Sequence, residues 1–247
     1  AMQCAEVIRV LGPESRLLEL GAGSGVMAAE LLAELERQDA LPAAYWILDL
    51  SADLRERQRE TIAQSVPHLL PRVQWLDSLP DEPFAGMILA NEVLDALTFE
   101  RFAIRNGDVN ALGVSSEFGQ LQLGEVRAAS RLVAAVRRIE EETGAAFPDG
   151  YESEVCTGLP RWFESIAYSL ERGVILFIDY GLPRREYYSA ERTRGTLLCH
   201  FRHRFHEDAL TRVGLQDITA WVDFTAVAEA AQGAGCEVAG YTTQAHF

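Results

Sequence analysis

The sequence predicts an α/β fold in which a mostly parallel sheet is flanked by helices on both faces. Three observations lead to this prediction. Short apolar runs alternate with amphipathic helical patterns, a glycine-rich turn joins the first strand to a helix, and the turn residues that bound the later runs leave them too short for helices. The 247 residues, 48% hydrophobic and 24% charged, are enough for one well-buried domain. We therefore predict a single domain over 1–247 with an insertion at 99–145.

The elements up to residue 91 form a regular series. Residues 16–50 contain a strand (RLLEL), the turn GAGSG, a helix beginning at Val26 and a second strand (YWILDL), which together make one βαβ unit. Ser51 is placed to cap the next helix, which is expected to end at Pro67. The runs VQWLD and FAGMILA follow as strands, and the second of them ends at Asn91.

The pattern changes after this series. Short strand-like runs and turn signals over 99–123 predict antiparallel strands. A long amphipathic helix is expected next, with Val126 and Leu132 on its apolar stripe and Gly144 as its stop. Farther along, we expect a buried strand at RGVILFIDYG, a helix capped by Asp223 at VDFTAVAEAAQGAG, and a final strand at CEVAGYTTQ.

Composition excludes several classes of function. The net charge of −15 disfavours binding to nucleic acid or anionic lipid. No apolar run approaches the ~18 residues that a membrane-spanning helix needs. The four cysteines lack CxxC spacing, which is typical of a reducing compartment, and the sequence has no readable signal peptide. We therefore expect a cytoplasmic location, or the mitochondrial matrix in a eukaryote, and the oligomeric state stays open.

The glycine turn predicts a ligand site. Gly21, Gly23 and Gly25 follow a strand and open a helix, and the absence of side chains lets the backbone approach a ligand closely. A dinucleotide fingerprint needs a third glycine where this chain has Val26, so a nicotinamide cofactor is disfavoured. Glu19 could instead balance the ammonium of an adenosyl sulfonium amino acid, which carries no phosphate. A plain structural turn is the alternative.

Further acidic residues stand at strand ends, where parallel sheets bind ligands. Asp49 can accept hydrogen bonds from both ribose hydroxyls, or it can simply neighbour a helix N-cap. Asp77 can accept a hydrogen bond from an adenine amino group, or it can belong to an ordinary turn. If a helical turn begins at Asn91, Glu92 and Asp95 share one face and can orient a cationic nitrogen such as that of arginine. The alternative is that Asn91 merely caps a short helix.

A tract rich in histidine superficially resembles a metal site. It contains Cys199, His200, His203 and His206. Two arginines separate the histidines, and no second ligand pair stands at a familiar spacing. We therefore expect no metal and interpret the tract as a polar surface or substrate loop.

Four blocks of the sequence together resemble one family. They are ELGAGSG (19–25), LDLSADLRERQ (48–58), ILANEVLDAL (88–97) and the stretch from FIDYG to WVDF (177–224). These blocks are similar to those of the MidA-like methyltransferases, a class I S-adenosylmethionine-dependent group that includes a mitochondrial complex I assembly factor known as an arginine methyltransferase. The resemblance implies a seven-stranded sheet that binds S-adenosylmethionine. With the residue analysis above, it identifies these candidate cofactor-binding residues: Glu19, Gly21, Ala22, Gly23, Gly25, Asp49, Leu50, Asp77 and Asn91.

The resemblance also implies methylation of an arginine on a partner protein, a complex I subunit in the mitochondrial relatives. Glu92 and Asp95 match the block that we interpret as catalytic, and Asp179 and Tyr180 match a block expected to border the substrate pocket. Two alternatives stay open, namely a non-catalytic assembly factor that keeps the fold and a methyltransferase for small molecules. Thr98 departs from the family, which has proline there. Members also carry a segment before the glycine strand, so we expect part of the site to lie upstream of this chain.

Overall fold

The computed structural model describes residues 1–202 and 204–247. These residues divide into two compact units. Unit 1 consists of Ala1–Leu94, Phe163–Asp179 and Gly240–Phe247. Unit 2 consists of Asp95–Trp162 and Tyr180–Ala239, and it contains the predicted insertion at 99–145. No helix in the described ranges is both long and apolar enough to cross a membrane.

Unit 1 contains a parallel sheet flanked by helices, which confirms the predicted α/β fold. In chain-order numbering, its strands are β1 (Arg16–Leu20), β2 (Ala44–Leu48), β3 (Val73–Leu76), β4 (Phe84–Asn91) and β9 (Leu170–Ile178). They pair in the order β3-β2-β1-β4-β9, and every pair is parallel. Since the sheet has five strands in the part of the chain that is described, the expected count of seven is not confirmed.

The helices of unit 1 supply the apolar side chains that cover this sheet. They are α1 (Met2–Leu11), α2 (Val26–Arg37), α3 (Ala52–Ser65), a 3₁₀ helix (Pro67–Arg72) and α5 (Leu159–Tyr168), which begins in unit 2. The Ser51 hydroxyl accepts a hydrogen bond from the Leu54 N–H at 3.3 Å, which confirms the predicted cap of α3. One buried cluster joins helices and strands through Leu17, Leu32, Ile47, Ile62 and Met87.

Unit 2 contains the antiparallel strands that the turn signals predicted. They are β5 (Glu100–Arg105), β6 (Asp108–Glu117), β7 (Gln120–Arg127) and β8 (Glu152–Val155), in the order β7-β6-β5-β8. Asn106 and Gly107 both have positive φ, +52° and +81°, and form the tight turn between β5 and β6. Asn-Gly is the dipeptide that such a two-residue hairpin turn prefers, because both positions need positive φ.

The long helix of unit 2 begins later than the sequence pattern predicted. Helix α4 covers Ser130–Thr143, and Gly144 ends it in the left-handed conformation as expected. Val126 is not on its stripe. It lies in β7, paired with Ala111, and is 56% exposed. Strand pairing therefore decides the structure around Val126, and the predicted helical stripe holds only from Leu132 onward.

The rest of unit 2 is made of short elements. They are β10 (Gly181–Leu182), α6 (Arg184–Tyr187), β11 (Leu198–Phe201), β12 (Arg204–His206), β13 (Asp217–Thr219), β14 (Val222–Asp223) and α7 (Phe224–Gly233). The Asp223 carboxylate accepts from the N–H groups of Thr225 and Ala226 at 3.0 and 3.1 Å, which confirms the predicted cap of α7. The predicted final strand at 236–244 is wrong. Residues 237–244 are exposed and pair with no strand in the described chain. Neither burial nor strand pairing therefore offsets the conformational entropy that an extended strand would lose there.

Candidate functional site

The glycine turn lies at the carboxyl end of β1 and leads into α2. Gly21, Gly23 and Gly25 all have left-handed φ angles, +63°, +54° and +81°. A Cβ at Gly21 would lie 3.2 Å from Val93 Cγ2, and one at Gly25 would lie 2.7 Å from Gln58 Cα. At Gly23, an added Cβ would meet no described atom within 4 Å. Packing therefore excludes a side chain at Gly25 and leaves little space at Gly21, whereas Gly23 leaves room for a ligand.

Two neighbouring candidate residues differ sharply in exposure. Ala22 is buried in the core cluster of unit 1. Leu50 directly follows Asp49 beyond the end of β2, and it is 95% exposed. An exposed leucine at a strand end is a surface that a flat apolar group could cover.

Glu19 lies in β1 and is fully buried. Its Oε2 atom accepts a hydrogen bond from the Tyr45 hydroxyl at 2.5 Å. Burial raises the pKa of the Glu19 carboxyl to about 7. The Tyr45 hydrogen bond opposes the increase and the charge of Asp49 adds to it. The other oxygen, Oε1, has no hydrogen-bond partner among the described residues. A buried oxygen in this condition is suited to a donor supplied by a ligand or by water.

Asp49 follows β2, and both of its oxygens already accept one hydrogen bond. Oδ1 accepts from the Ser51 N–H at 2.9 Å, and Oδ2 accepts from the Gln58 amide at 2.8 Å. A carboxylate offers about four lone-pair positions, so two remain for hydroxyl donors. The arrangement therefore fits the predicted contact with a pair of ribose hydroxyls.

Sequence reasoning missed Gln58. It stands in α3 in a row with Leu54 and Ile62, each four residues apart. The structure buries Gln58 completely, with its amide bonded to Asp49 and to the Gly23 carbonyl. The available signal was a polar amide in an otherwise apolar stripe, because such a group is rarely buried without several partners.

Asp77 follows β3, which is separated from β1 by β2. Its Oδ1 atom pairs with Arg55 Nη1 at 2.6 Å, but its side chain is 90% exposed. Ion pairs this exposed contribute little to stability. The predicted contact of Asp77 with an adenine amino group stays a prediction.

The end of β4 does not begin a helix. Asn91 is the last residue of β4 and pairs with Ile178 of β9, and the next N–H, that of Glu92, donates to the Ile178 carbonyl at 2.8 Å. Residues 92–97 form bends and turns, so both the shared helical face and the helix cap expected at Asn91 are wrong. The pairing with β9 keeps the backbone extended through Asn91, so no helix begins there. Glu92 is exposed with φ +52°, a strained conformation that is often found at functional sites.

Asp179 and Tyr180 each form a hydrogen bond with a residue of the segment that follows β4. In unit 1, Asp179 Oδ2 accepts a hydrogen bond from the Leu94 N–H at 3.0 Å. In unit 2, the Tyr180 hydroxyl donates a short hydrogen bond to Asp95 Oδ2. Asp95 is buried, and its carbonyl accepts from the Ala220 N–H at 3.3 Å. The predicted catalytic carboxylates thus differ, since Glu92 is exposed and Asp95 is anchored.

Of the histidine tract, Cys199 and His200 lie in β11 and His206 lies in β12, and Cys199 pairs with His206. His206 Nδ1 accepts a hydrogen bond from the Asp208 N–H at 3.2 Å. His203 lies outside the described residues. Among the residues that are described, no group of three or more His, Cys, Asp or Glu side chains is placed to hold a metal ion.

Comparison with known proteins identifies a family. A family model described as "Putative S-adenosyl-L-methionine-dependent methyltransferase" matches residues 1–242. A crystal structure from Burkholderia thailandensis, a superfamily member bound to S-adenosyl-homocysteine, is 39% identical with a TM-score of 0.89. The match covers 98% of this chain and 62% of that one. A native crystal structure of an uncharacterized protein from Burkholderia thailandensis is 40% identical with a TM-score of 0.89, with coverage of 98% and 64%.

The chain therefore spans less than two thirds of the length of either solved structure. Comparison with curated proteins gives no match.

Proposed function

The chain belongs to this family of S-adenosyl-L-methionine-dependent methyltransferases, and on that premise we propose that it transfers a methyl group from S-adenosylmethionine to an arginine of a partner protein. The observation that carries the cofactor assignment is the buried Glu19 carboxyl beside the glycine turn, with an oxygen that lacks a partner among the described residues. The solved relative with S-adenosyl-homocysteine supports it.

The residues of unit 1 fit this cofactor. The Oε1 atom of Glu19, which has no partner in the described part of the chain, suits the ammonium group of the cofactor, either directly or through water. The remaining lone pairs of Asp49 suit its ribose hydroxyls. The open space at Gly23 lets the cofactor approach the backbone of the turn closely. The exposed Leu50 side chain suits contact with the adenine ring of the cofactor. When bound, the cofactor supplies an electrophilic methyl group on a positively charged sulfur.

The acceptor assignment rests on the two carboxylates that follow β4 closely in the sequence, although they share no helical face. An arginine guanidinium is almost always protonated, so a protein must localise its charge and orient one nitrogen before that nitrogen can attack a methyl group. We assign this role to Glu92 and Asp95, with the Tyr180 hydroxyl holding one oxygen of Asp95 in place. Attack would form the N–C bond and leave the S–C electron pair on sulfur, and the nitrogen would pass one proton to the exposed Glu92 carboxylate and from there to water. The net charge of −15 favours encounters with a cationic target.

Two measurements test the proposal. Calorimetric titration with S-adenosylhomocysteine, with NADH as the control, is expected to give micromolar binding of the first ligand only. Labelled S-adenosylmethionine and a cell extract should then yield a labelled protein that contains methylarginine by mass spectrometry. A labelled small molecule in its place would overturn the arginine assignment. Binding without transfer to any acceptor would favour the non-catalytic factor.

A further inference from the structure

We infer that Gln58 is a positioning residue for the cofactor, because it holds the glycine turn and the Asp49 carboxylate in their binding arrangement. The inference rests on the proposed function, since it concerns the same site. Gln58 lies in α3 and is fully buried, so its amide groups must find partners inside the protein.

The Gln58 amide connects three strand ends. Its Nε2 atom donates to the Gly23 carbonyl at 3.0 Å and to Asp49 Oδ2 at 2.8 Å. Its Oε1 atom accepts from Trp75 Nε1 at 2.9 Å. Both amide hydrogens are therefore used, one on the turn after β1 and one on the acid after β2.

Trp75 of β3 determines which way this amide points. An indole N–H can only donate, so it requires the amide oxygen to face it. The reverse orientation would place NH₂ against the indole N–H and the amide oxygen against two acceptors. The Arg59 guanidinium lies 4.4 Å from the centroid of the Trp75 ring and covers it. The amide orientation of Gln58 is thus set by the Trp75 indole, whose N–H donates to the amide oxygen.

The contact with Gly23 sets the geometry of the glycine turn. Because a trans peptide places C=O and the following N–H on opposite sides, a Gly23 carbonyl that faces α3 turns the Ser24 N–H away from α3. Thr61 adds a second contact, since its hydroxyl donates to the Ser24 carbonyl at 2.8 Å. Gly25 packs against the backbone of Gln58, where a Cβ would come within 2.7 Å. Helix α3 therefore holds the turn in shape before a ligand arrives.

The contact with Asp49 selects one orientation of its carboxylate. With Oδ1 on the Ser51 N–H and Oδ2 on Gln58, the free lone pairs of both oxygens have defined directions. A pair of adjacent hydroxyls needs two acceptors at a fixed spacing. Gln58 should therefore contribute to recognition of the ribose in particular, beyond its contribution to folding.

The test compares S-adenosylhomocysteine with its 2′-deoxyribose analogue, which lacks one hydroxyl. We expect the protein to bind the complete ligand roughly 10-fold or more tightly than the analogue. This is the difference in affinity that one hydrogen bond to a charged group typically makes. In Gln58→Leu this preference should shrink to about 3-fold or less, because Asp49 loses one partner that orients it. The matched control is Thr61→Val, which removes only the contact with Ser24. It should weaken both ligands equally and keep the preference.

Each result decides the inference. A Gln58→Leu protein that keeps the full preference shows a merely structural role and overturns it. If that variant does not fold, Trp75→Phe removes only the donor that orients the amide and should also reduce the preference, whereas an unchanged preference overturns the inference. Wild-type protein that binds neither ligand contradicts the proposed function as well. Wild-type protein that binds both ligands equally overturns the role of Asp49 and Gln58 alone.

Discussion

Glu19 of unit 1 and Arg184 of unit 2 are both buried ionisable side chains, but their surroundings differ. The Arg184 guanidinium is hydrogen-bonded to Asp223 at 3.0 Å and to both oxygens of Glu229 at 2.8 Å, and it also contacts Glu142. Burial by itself lowers the pKa of Arg184, but Glu229 and Asp223 outweigh this effect and raise it. The charge of Arg184 is thus compensated entirely within unit 2.

Glu19 has one hydrogen-bond donor, Tyr45, and one oxygen with no partner among the described residues. Burial raises the pKa of the Glu19 carboxyl, and the single hydrogen bond from Tyr45 does not offset this increase. The comparison teaches that burial alone does not distinguish a structural charge from a binding group. The two sites differ in the number of compensating partners, and the incomplete set at Glu19 leaves a position that a ligand can fill.

Removing Arg184 should have the largest effect on stability. Arg184→Met leaves the largely buried Asp223 without its cation and removes one of the two cations that pair with Glu142 and Glu229, which we expect to lower the free energy of unfolding by about 3–5 kcal/mol in urea denaturation. The control is Arg138→Met. Arg138 pairs with the same Glu142 and Glu229 but is 62% exposed, so its loss should cost less than about 1 kcal/mol. Equal effects of the two variants would contradict the comparison.

The stability of the protein should depend on pH through Glu19. The pKa of Glu19 is about 7 in the folded protein and 4.5 in the reference state, so the folded protein binds the proton more tightly. Its contribution is complete below pH 4.5 and is lost as pH rises toward 7, by on the order of 3 kcal/mol. Urea denaturation at several pH values should show this decline in the wild type. It should be smaller in Glu19→Gln, where the raised pKa values of the buried Glu154 and the largely buried Asp223 still contribute, and an unchanged decline there would assign it to another group.

Blocking the open position at Gly23 should abolish ligand binding. We expect Gly23→Val to weaken S-adenosylhomocysteine binding by at least ~100-fold in calorimetry, about 2.7 kcal/mol, because the side chain occupies the space above the turn. Gly119→Val is the matched control. Gly119 also has positive φ, +78°, and open space, but it lies at the tip of the β6–β7 hairpin. It should carry a similar backbone strain and keep wild-type affinity, so a loss in both variants would point to strain alone.

Ligand binding should also depend on the protonation of Glu19. An ammonium group near the carboxylate favours the charged form, so affinity for S-adenosylhomocysteine should rise as pH increases from 5.5 to 7, approaching ~10-fold per pH unit well below the pKa. Calorimetry across this range checks the slope. Glu19→Gln should bind more weakly and with no slope, and a slope that survives in this variant would show that another group titrates.

The smallest effect is expected at Asp77. Asp77→Asn should change the free energy of unfolding by less than about 1 kcal/mol, because the pair with Arg55 is largely exposed. If Asp77 accepts a hydrogen bond from adenine, the same variant should weaken S-adenosylhomocysteine binding by roughly 10-fold. Unchanged affinity would remove Asp77 from the candidate site.

The sequence patterns succeeded where the physics is local. Ser51 and Asp223 cap helices through N–H groups two or three residues away, and Asn106-Gly107 forms its turn because of its own φ preferences. The sequence patterns failed where pairing with another strand competed with a predicted helix. Val126 joined β7, and Glu92 bonded to β9, although both segments had helical patterns. A strand partner distant in the chain is not visible in local periodicity.

The sequence by itself determined the parallel α/β fold, the glycine turn and the acids at the strand ends, because strand length, turn propensity and strand polarity are properties of short segments. Only the tertiary structure decided how these acids are held. Gln58 bonds to Gly23 across 35 positions, and Tyr180 bonds to Asp95 across 85. Such contacts depend on which strands become neighbours and which side chains lose their water, and both are consequences of packing the whole chain.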